Sequence, residues 1–253
     1  MKFFQICSYV LATATASAAQ ASAIPRAEKP PYFVLTGDST VAVAGGWGDG
    51  FLSFLQKEAD GVNPAKSGAT TVSFRRGGLW DTAIKSVEDN KAKYTPYVTI
   101  QFGHNDQKGT SGISMDQFRT NLETMVDEVR NAGGIPILLT SLTRRRFSGG
   151  KVIENLVDVR AETIAASVAT KATLIDLNDV STKYVNAIGD ANASNYDLPP
   201  NDKTHLNPTG EKVFGRMVVD LVLQKYEGLE KYFTPGGELS RKIAAGEFAT
   251  GDE

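Results

Sequence analysis

The sequence predicts a single α/β domain in which parallel strands alternate with helices, packed as an α/β sandwich. Short, continuous apolar runs, typical of strands buried on both faces, occur at 32–36, 97–102 and 135–140. Segments with helically spaced apolar residues lie between and after these runs. The 253 residues contain no internal repeat and no linker-like stretch, which favours one large domain.

The helices are predicted from apolar spacing and from their end signals. The segment from Ser114 to Asn131 places apolar residues at helical spacing and is followed by Gly133, a common helix stop. Asn207 and Pro208 are an N-cap and a first-turn proline, which predicts the start of the last helix. The remaining predicted helices are 48–59, 153–169 and 181–188, and two further short strands are predicted near 62–63 and at 173–176.

Both ends of the chain are set apart from this pattern. Lys2, a short apolar stretch from Phe3 to Ala12 and small residues up to Ala23 predict a signal peptide over residues 1–23, and hence a secreted protein. The single predicted domain is expected over residues 24–253. Beyond Thr234 the sequence has only weak signals, and we expect a weakly determined C-terminal tail.

Composition narrows the possible functions. A net charge of −2 gives no electrostatic footprint for nucleic acid, and no segment after the leader is long enough to span a bilayer. The one cysteine, Cys7, lies in the predicted leader, which excludes disulfides and thiol catalysis from the mature chain. With only two histidines, a zinc site is not expected, and we predict no metal and no organic cofactor.

Polar clusters follow three of the predicted strands. They are Gly37-Asp38-Ser39, the segment 103–106 and the segment 141–144. In parallel sheets, ligands bind beyond the carboxyl ends of the strands, where such clusters converge. We therefore expect the functional site at that edge of the sheet.

Ser39, Asp202 and His205 are the candidates for nucleophilic catalysis. A serine hydroxyl needs a base to take its proton, and an imidazole serves best when a carboxylate fixes its tautomer. Asp202 precedes His205 by three residues, a spacing that brings carboxylate and ring together. The alternative for Ser39 is a simple turn with a helix cap, and for Asp202 and His205 a surface turn before the last helix.

The segment Gly103-His104-Asn105-Asp106 offers a further catalytic group. An asparagine amide together with backbone N–H groups can form an oxyanion hole, although a plain loop of turn-forming residues would look the same. His104 is a rival general base, but no carboxylate precedes it with the spacing of Asp202. We expect Asp106 to brace the loop.

Four blocks in order make the chain resemble the SGNH (GDSL-type) hydrolases, and among them most closely the fungal rhamnogalacturonan acetylesterases. The blocks are 37–40 (Gly-Asp-Ser-Thr), 65–70 (Ala-Lys-Ser-Gly-Ala-Thr), 103–106 (Gly-His-Asn-Asp) and 202–205 (Asp-Lys-Thr-His). The resemblance implies a three-layer α/β/α sandwich around a five-stranded parallel sheet and ester hydrolysis through an acyl-serine. Unlike those acetylesterases, the mature chain has no cysteines.

The resemblance also implies roles for individual residues. Ser39 would be the nucleophile of a triad with Asp202 and His205, and the N–H groups of Ser39 and Gly68 with the side chain of Asn105 would form the oxyanion hole. The expected activity is removal of acetyl groups from a plant cell-wall polysaccharide, such as the pectic polysaccharide rhamnogalacturonan, by a monomer. The alternatives are a general short-chain carboxylesterase or lipase, and a non-catalytic carbohydrate-binding protein on the same scaffold.

Substrate contacts are predicted at two places. Trp47, in the glycine-rich segment 45–50, is either a sugar-stacking face or an ordinary packed aromatic. Arg144 and Arg145 follow a strand on the predicted active-site side, where cations could attract the carboxylates of a polyuronide. A solvated basic loop is the alternative for the two arginines.

Overall fold

A computed structural model describes Met1 and residues 29–199 and 201–253 of the chain. The predicted signal peptide over residues 1–23 therefore lies outside the described residues, Met1 apart. The centre of the fold is a five-stranded sheet whose strands all run parallel, in the order β2-β1-β3-β4-β7. Its strands are β1 (Pro31–Gly37), β2 (Asp60–Val62), β3 (Thr95–Gln101), β4 (Ile135–Leu139) and β7 (Thr173–Ile175).

Helices cover both faces of this sheet. They are α1 (Gly48–Leu52), α2 (Thr71–Arg76), α3 (Leu79–Asn90), α4 (Met115–Ala132), α5 (Val157–Thr170), α6 (Leu177–Ala193), α7 (Pro208–Lys225) and α8 (Gly237–Ala245). Two short hairpins lie outside this sheet: β5 (Phe147–Ser148) with β6 (Lys151–Val152), and β8 (Asp197–Leu198) with β9 (Asp202–Leu206).

Side chains alternate along each strand and so divide the core into two layers. Phe33 and Leu35 of β1 pack with buried residues of α1, α6, α7 and α8. Val34, between them, packs instead with buried residues of α2, α3, α4 and α5. This alternation follows from the two-residue period of a strand, and it confirms the three-layer α/β/α sandwich.

Most of the predicted elements are present. Helix α4 begins at the Ser114 cap, whose hydroxyl accepts from the Gln117 N–H, and ends at Gly133 in the left-handed conformation. Helix α7 begins at the Asn207 cap as predicted. Helix α5 starts four residues later than expected and α6 is longer at both ends than 181–188.

The predicted helix over 48–59 is wrong beyond Leu52. After α1 the chain turns, and its main chain pairs with a distant segment: Gln56 N–H donates to the Tyr232 carbonyl at 2.9 Å and Thr234 N–H to the Phe54 carbonyl at 2.8 Å. Helical apolar spacing therefore gives way to tertiary hydrogen bonding with a segment almost 180 residues away in sequence.

Helices α2 and α3 were not predicted. Trp80, Ala83 and Val87 of α3 form the buried stripe of an amphipathic helix, a periodic signal that was available in the sequence. Thr70 caps α2 by accepting from Ser73 N–H, and the Ser73 hydroxyl accepts from Thr70 N–H in return. These helices carry the chain from the segment around Gly68 back to the sheet.

The hairpin of β8 and β9 lies outside the main sheet and leads directly into α7. Gly50 of α1 and Gly215 of α7 allow these two helices to touch through their main chains. A Cβ atom at Gly50 would lie 1.9 Å from the Glu211 carbonyl oxygen, and one at Gly215 would lie 2.4 Å from the Gly50 carbonyl carbon. This close approach, possible only for glycine, fixes α7 against the segment that follows β1.

The segment after Thr234, for which the sequence has only weak signals, is an ordered part of the fold. It forms α8, whose Leu239 and Ile243 are buried in the core, and it continues to Ala249, which is fully buried. The Tyr196 hydroxyl donates to the Ala249 carbonyl at 2.7 Å and accepts from its N–H at 3.3 Å.

Candidate active site

Ser39 lies in a tight turn at the carboxyl end of β1. The N–H groups of Val41 and Ala42 both donate to the Asp38 carbonyl, at 3.1 and 3.0 Å, which closes a single turn. Asp38 Oδ1 accepts from both the N–H and the hydroxyl of Thr40. Ser39 is 9% exposed, and within the described chain neither its hydroxyl nor its N–H has a hydrogen-bond partner. Its hydroxyl is therefore unpartnered in a side chain that is almost completely buried.

A chain of buried hydrogen bonds supports this turn from below. Trp47 Nε1 donates to Gln101 Oε1 at 2.9 Å, and Gln101 Nε2 donates to the Thr40 hydroxyl at 2.6 Å. Trp47 is 0% exposed and also packs on Phe51, so it cannot stack on a sugar. The prediction that Trp47 binds substrate is wrong, and its other interpretation, a packed aromatic, is correct.

Asp202 and His205 meet as their spacing predicted. The imidazole Nδ1 lies 2.6 Å from Asp202 Oδ2, while Asp202 Oδ1 accepts from the backbone N–H of His205 at 3.0 Å and of Thr204 at 2.9 Å. Burial works to raise the pKa of Asp202, but the hydrogen bonds from His205 and Thr204 outweigh it and lower that pKa to about 2. The carboxylate is therefore ionised at neutral pH, and Nδ1 carries the proton that it accepts.

The segment that follows Ser39 packs against His205. Leu206 N–H donates to the Gly45 carbonyl at 2.9 Å, and a Cβ atom at Gly45 would lie 3.4 Å from the Cβ of His205. Although both side chains are described, the Ser39 hydroxyl and the His205 imidazole make no hydrogen bond with each other. Catalytic hydrogen bonds often tighten only once a substrate is bound.

His104 is excluded as the general base. Its Nε2 lies 2.9 Å from the Leu142 carbonyl, which can only accept, so Nε2 carries the proton and Nδ1 is bare. Burial lowers the pKa of His104 to about 3, and the positive charge of Arg144 acts in the same direction. The ring is buried and neutral at physiological pH, which leaves His205 as the candidate base.

Asn105 is oriented by its neighbours. Its Nδ2 donates to the Ala69 carbonyl at 3.0 Å, and its Oδ1 accepts from Lys108 Nζ at 2.7 Å. Since an ammonium group can only donate, the Lys108 contact fixes which end of the amide is oxygen. One N–H of Nδ2 is used by Ala69, and the second remains for a ligand.

Gly68 lies in the loop after β2, held near the end of β1 because Lys66 N–H donates to the Gly37 carbonyl at 3.0 Å. Gly68 is exposed and has φ +78°, a left-handed conformation that favours glycine. Its N–H has no hydrogen-bond partner in the described chain. This group is free to bind an oxyanion.

Asp106 braces the loop, as expected. Its Oδ1 accepts from both the N–H and the hydroxyl of Thr71, at 2.8 and 2.6 Å, and so fastens the start of α2 to the end of β3. Burial raises the pKa of Asp106 to about 6 against the opposing hydrogen bonds from Thr71, and the charge of Asp38 raises it further. Burial also raises the pKa of Asp38.

The two predicted substrate-binding arginines have different environments. Arg144 is partly exposed, and its Nη1 donates to the hydroxyl of Thr204, the neighbour of His205, at 2.6 Å. Burial lowers the pKa of Arg144, while the charges of Asp38 and Asp202 raise it. Arg144 therefore stands beside the Asp202–His205 pair, with Nε buried and unpartnered among the described residues.

Arg145 is not available to a substrate, and the prediction that it binds one is wrong. Its side chain is 0% exposed and forms an ion pair with Asp197, with Nε 2.8 Å from Oδ1. In a run of three consecutive arginines, the sequence alone cannot show which side chain is buried. Arg145 does so because its guanidinium meets the hairpin of β8 and β9.

A metal-binding cluster and a membrane-spanning helix are both absent from the described residues, 29–199 and 201–253. They contain no group of three or more His, Cys, Asp or Glu that could hold a metal ion. None of their helices is both long enough and apolar enough to cross a bilayer.

The fold and the groups around Ser39 define an α/β/α-sandwich protein with the side chains of a serine hydrolase. Residues 35–213 match the model of the GDSL-like Lipase/Acylhydrolase family. Since this match covers more than half of the chain, the chain belongs to that family.

Among curated relatives, Rhamnogalacturonan acetylesterase RhgT of Bacillus subtilis (strain 168) is 34% identical over 135 residues, 51% of this chain and 56% of RhgT. Probable rhamnogalacturonan acetylesterase YesY of the same organism is 22% identical over 200 residues, 74% of this chain and 90% of YesY. The chain thus spans little more than half the length of RhgT.

Solved structures share the fold. Protein YxiM of Bacillus subtilis superposes with a TM-score of 0.67 at 24% identity, covering 80% of this chain and 58% of that one. A catalytic mutant of Axe2, an acetylxylan esterase from Geobacillus stearothermophilus, superposes with a TM-score of 0.56 at 13% identity, covering 78% and 94%. At these identities the likeness concerns the fold alone.

Sequence reasoning missed several residues that hold the site. Lys108, Thr71 and Thr204 orient Asn105, Asp106 and Arg144 respectively. Lys108 is three positions from Asn105, which is a usable signal, whereas Thr204 is 60 positions from Arg144. Thr71 is 35 positions from Asp106, and only the packing of α2 against the end of β3 shows their contact.

Proposed function

We propose that this chain is a secreted serine esterase that removes acetyl groups from a plant cell-wall polysaccharide, most specifically rhamnogalacturonan or another pectin. The observation that carries the proposal is the 2.6 Å contact between His205 Nδ1 and Asp202 Oδ2, on a strand that packs against the Ser39 turn. The sequence supplies only one other histidine, and that one is neutral and buried.

The proposed reaction proceeds through an acyl-serine. His205 Nε2 takes the proton of the Ser39 hydroxyl as its oxygen attacks the acetyl carbonyl, and Asp202 stabilises the imidazolium. The N–H groups of Ser39 and Gly68 with the Asn105 amide bind the developing oxyanion. The imidazolium returns its proton to the departing sugar hydroxyl, and water, activated by the same imidazole, then releases acetate.

Two observations support a polyuronide rather than a neutral polysaccharide. RhgT and YesY carry names that specify rhamnogalacturonan. Arg144 places a partly exposed guanidinium beside the Asp202–His205 pair, where it can meet a sugar carboxylate in a bidentate fashion. A neutral xylan offers that cation no partner, although the fold resembles that of an acetylxylan esterase as well.

A substrate panel tests this proposal. Acetate release is measured from acetylated rhamnogalacturonan, acetylated xylan and p-nitrophenyl acetate, for the wild type and for Ser39→Ala. We expect turnover that Ser39→Ala abolishes, with kcat/KM highest on rhamnogalacturonan. Equal rates on all three would indicate a general carboxylesterase, and polysaccharide binding without turnover would indicate a non-catalytic binding protein.

The role of Arg144 is tested separately. Arg144→Met is expected to raise KM for acetylated rhamnogalacturonan about 10-fold, since a charge-assisted pair is lost, and to leave KM for p-nitrophenyl acetate within about 2-fold. Arg130→Met, which changes a partly exposed arginine of α4, is the matched control. If Arg144→Met affects both substrates equally, Arg144 does not bind the sugar carboxylate.

Secretion is part of the same proposal. It predicts that protein expressed with residues 1–23 is recovered from the medium with an N-terminus near residue 24, as N-terminal sequencing would determine. Recovery only from inside the cells with Met1 retained would contradict it.

A further inference from the structure

The hairpin that carries Asp202 and His205 is unusual in its attachment. Among the described strands, β9 pairs only with the two-residue strand β8, and neither belongs to the five-stranded sheet. A short two-stranded hairpin is marginally stable by itself. Its main-chain carbonyls therefore need donors from outside the hairpin, and those donors decide where the His205 imidazole stands.

One residue supplies these donors. Arg145 Nη2 donates to the carbonyls of Asp202 and His205, at 3.2 and 2.5 Å, and Arg145 N–H donates to the Lys203 carbonyl at 2.8 Å. A single residue in the loop after β4 thus takes the place of a neighbouring strand along β9.

The guanidinium is itself fixed. Its Nε donates to Asp197 Oδ1 at 2.8 Å, and the other oxygen of Asp197 accepts from Lys203 Nζ at 2.7 Å. Arg145 is 0% exposed and the Asp197 side chain 6%, so neither exchanges its partner for water. Among the described residues Arg145 Nη1 is buried without a partner, so the guanidinium is held through Nε and Nη2. A buried charge is costly unless it is paired, which favours keeping these contacts.

Resting on the proposed function, we propose that Arg145 is a positioning residue for ester hydrolysis: its guanidinium holds the main chain of Asp202 and His205 so that the imidazole meets the Ser39 hydroxyl. Arg145 touches neither substrate nor reacting atoms. A planar fork is required because one group must reach two carbonyls and one carboxylate at once.

The variants Arg145→Met and Arg145→Lys test this role. Methionine fills much of the space without any donor, whereas lysine keeps the charge but cannot serve Asp197 and both carbonyls together. Arg130→Met is the control for loss of an arginine elsewhere. Folded protein is quantified by near-UV circular dichroism, and kcat and KM on p-nitrophenyl acetate are measured well below each variant's melting temperature.

We expect kcat per folded molecule to fall about 100-fold in Arg145→Met, since a misplacement of about 1 Å costs that much, with KM within about 2-fold. The kcat of Arg145→Lys should lie between that of the wild type and that of Arg145→Met. If Arg145→Met does not fold, the kcat of Arg145→Lys decides whether the positioning role holds. A kcat within 2-fold of the wild type in a folded variant, or a raised KM with unchanged kcat, would overturn the proposal.

A second readout does not depend on esterase activity. The proton on His205 Nδ1, hydrogen-bonded to Asp202, gives a downfield NMR resonance that reports the geometry of this pair. We expect it to shift or broaden in both Arg145 variants and to be unchanged in Arg130→Met. An unchanged resonance in the variants would contradict the positioning role, whereas failure of Ser39→Ala to abolish turnover would contradict only the proposed function.

Discussion

The carboxylate of Asp202 holds His205 at two points, the imidazole ring and the backbone N–H. Oδ2 lies 2.6 Å from the imidazole Nδ1, and Oδ1 accepts from the backbone N–H at 3.0 Å. One carboxylate therefore fixes both the tautomer of the His205 ring and the main chain that carries it.

Replacing Asp202 separates these two effects. Asp202→Asn keeps an oxygen for the backbone N–H groups but favours the wrong tautomer, so we expect kcat on p-nitrophenyl acetate to fall about 1,000- to 10,000-fold. The melting temperature should change far less than kcat. Asp127→Asn, at an exposed position of α4, is the control. A loss of less than 10-fold would show that Asp202 does not orient the base.

His104 should make the protein less stable in acid. Its pKa is about 3 in the folded state and 6.5 ordinarily, so the unfolded chain takes up a proton below pH 6.5 that the folded protein refuses. Stability is therefore lost as pH falls from 6.5 towards 3, by about 3 kcal/mol between pH 7 and pH 4. In urea unfolding, the free energy of unfolding of His104→Gln should fall less between pH 7 and pH 4 than that of the wild type. An equal fall in both proteins would contradict the assignment of this acid sensitivity to His104.

Asp106 acts in the opposite direction. Its pKa of about 6 lies above the ordinary 3.8, so the folded protein binds a proton more tightly than the unfolded chain. Its contribution to stability falls as pH rises from about 4 to 6. Asp106→Asn keeps the acceptor for Thr71 and removes this effect. Relative to the wild type, its free energy of unfolding should rise by about 2 kcal/mol from pH 4 to pH 7. No relative change would show that Asp106 titrates normally.

Trp47 should matter for stability and not for substrate affinity. Trp47→Phe leaves buried Gln101 Oε1 without its donor, which should cost about 1–3 kcal/mol in the free energy of unfolding. KM for the polysaccharide should stay within 2-fold. Trp80→Phe, which removes a comparable N–H bond to Glu128 on the opposite face, is the control. A large rise in KM confined to Trp47→Phe would restore a role in sugar binding.

Tyr196 should hold the C-terminal segment in place. Its buried hydroxyl serves both the carbonyl and the N–H of Ala249 and lies 2.8 Å from the Tyr184 hydroxyl. Tyr196→Phe leaves these groups unpartnered, so we expect a loss of about 1–3 kcal/mol and faster hydrogen exchange at the Ala249 amide. Tyr226→Phe, whose hydroxyl meets Thr173, is the control. Unchanged exchange at Ala249 would contradict the role.

The sequence predicted what depends on local pattern. Short apolar runs predicted the buried strands, and caps with apolar spacing predicted helices α4 and α7. The three-residue spacing of Asp202 and His205 was sufficient to predict their contact, because side chains so close in sequence can meet without any distant segment. The edge of the sheet at which the site lies followed from the parallel arrangement alone.

Distant contacts decided the rest. The apolar spacing after Leu52 predicts more helix, but hydrogen bonds to 232–234 end it. Arg144 and Arg145 are equal in sequence, and only the position of the β8–β9 hairpin turns one towards solvent and buries the other. Trp47 could stack on a sugar or pack, and the carbonyl oxygen of the Gln101 side chain, 54 residues away, selects packing. A sequence determines local preference, whereas burial depends on which distant segments meet, and that is settled only when the whole chain is packed.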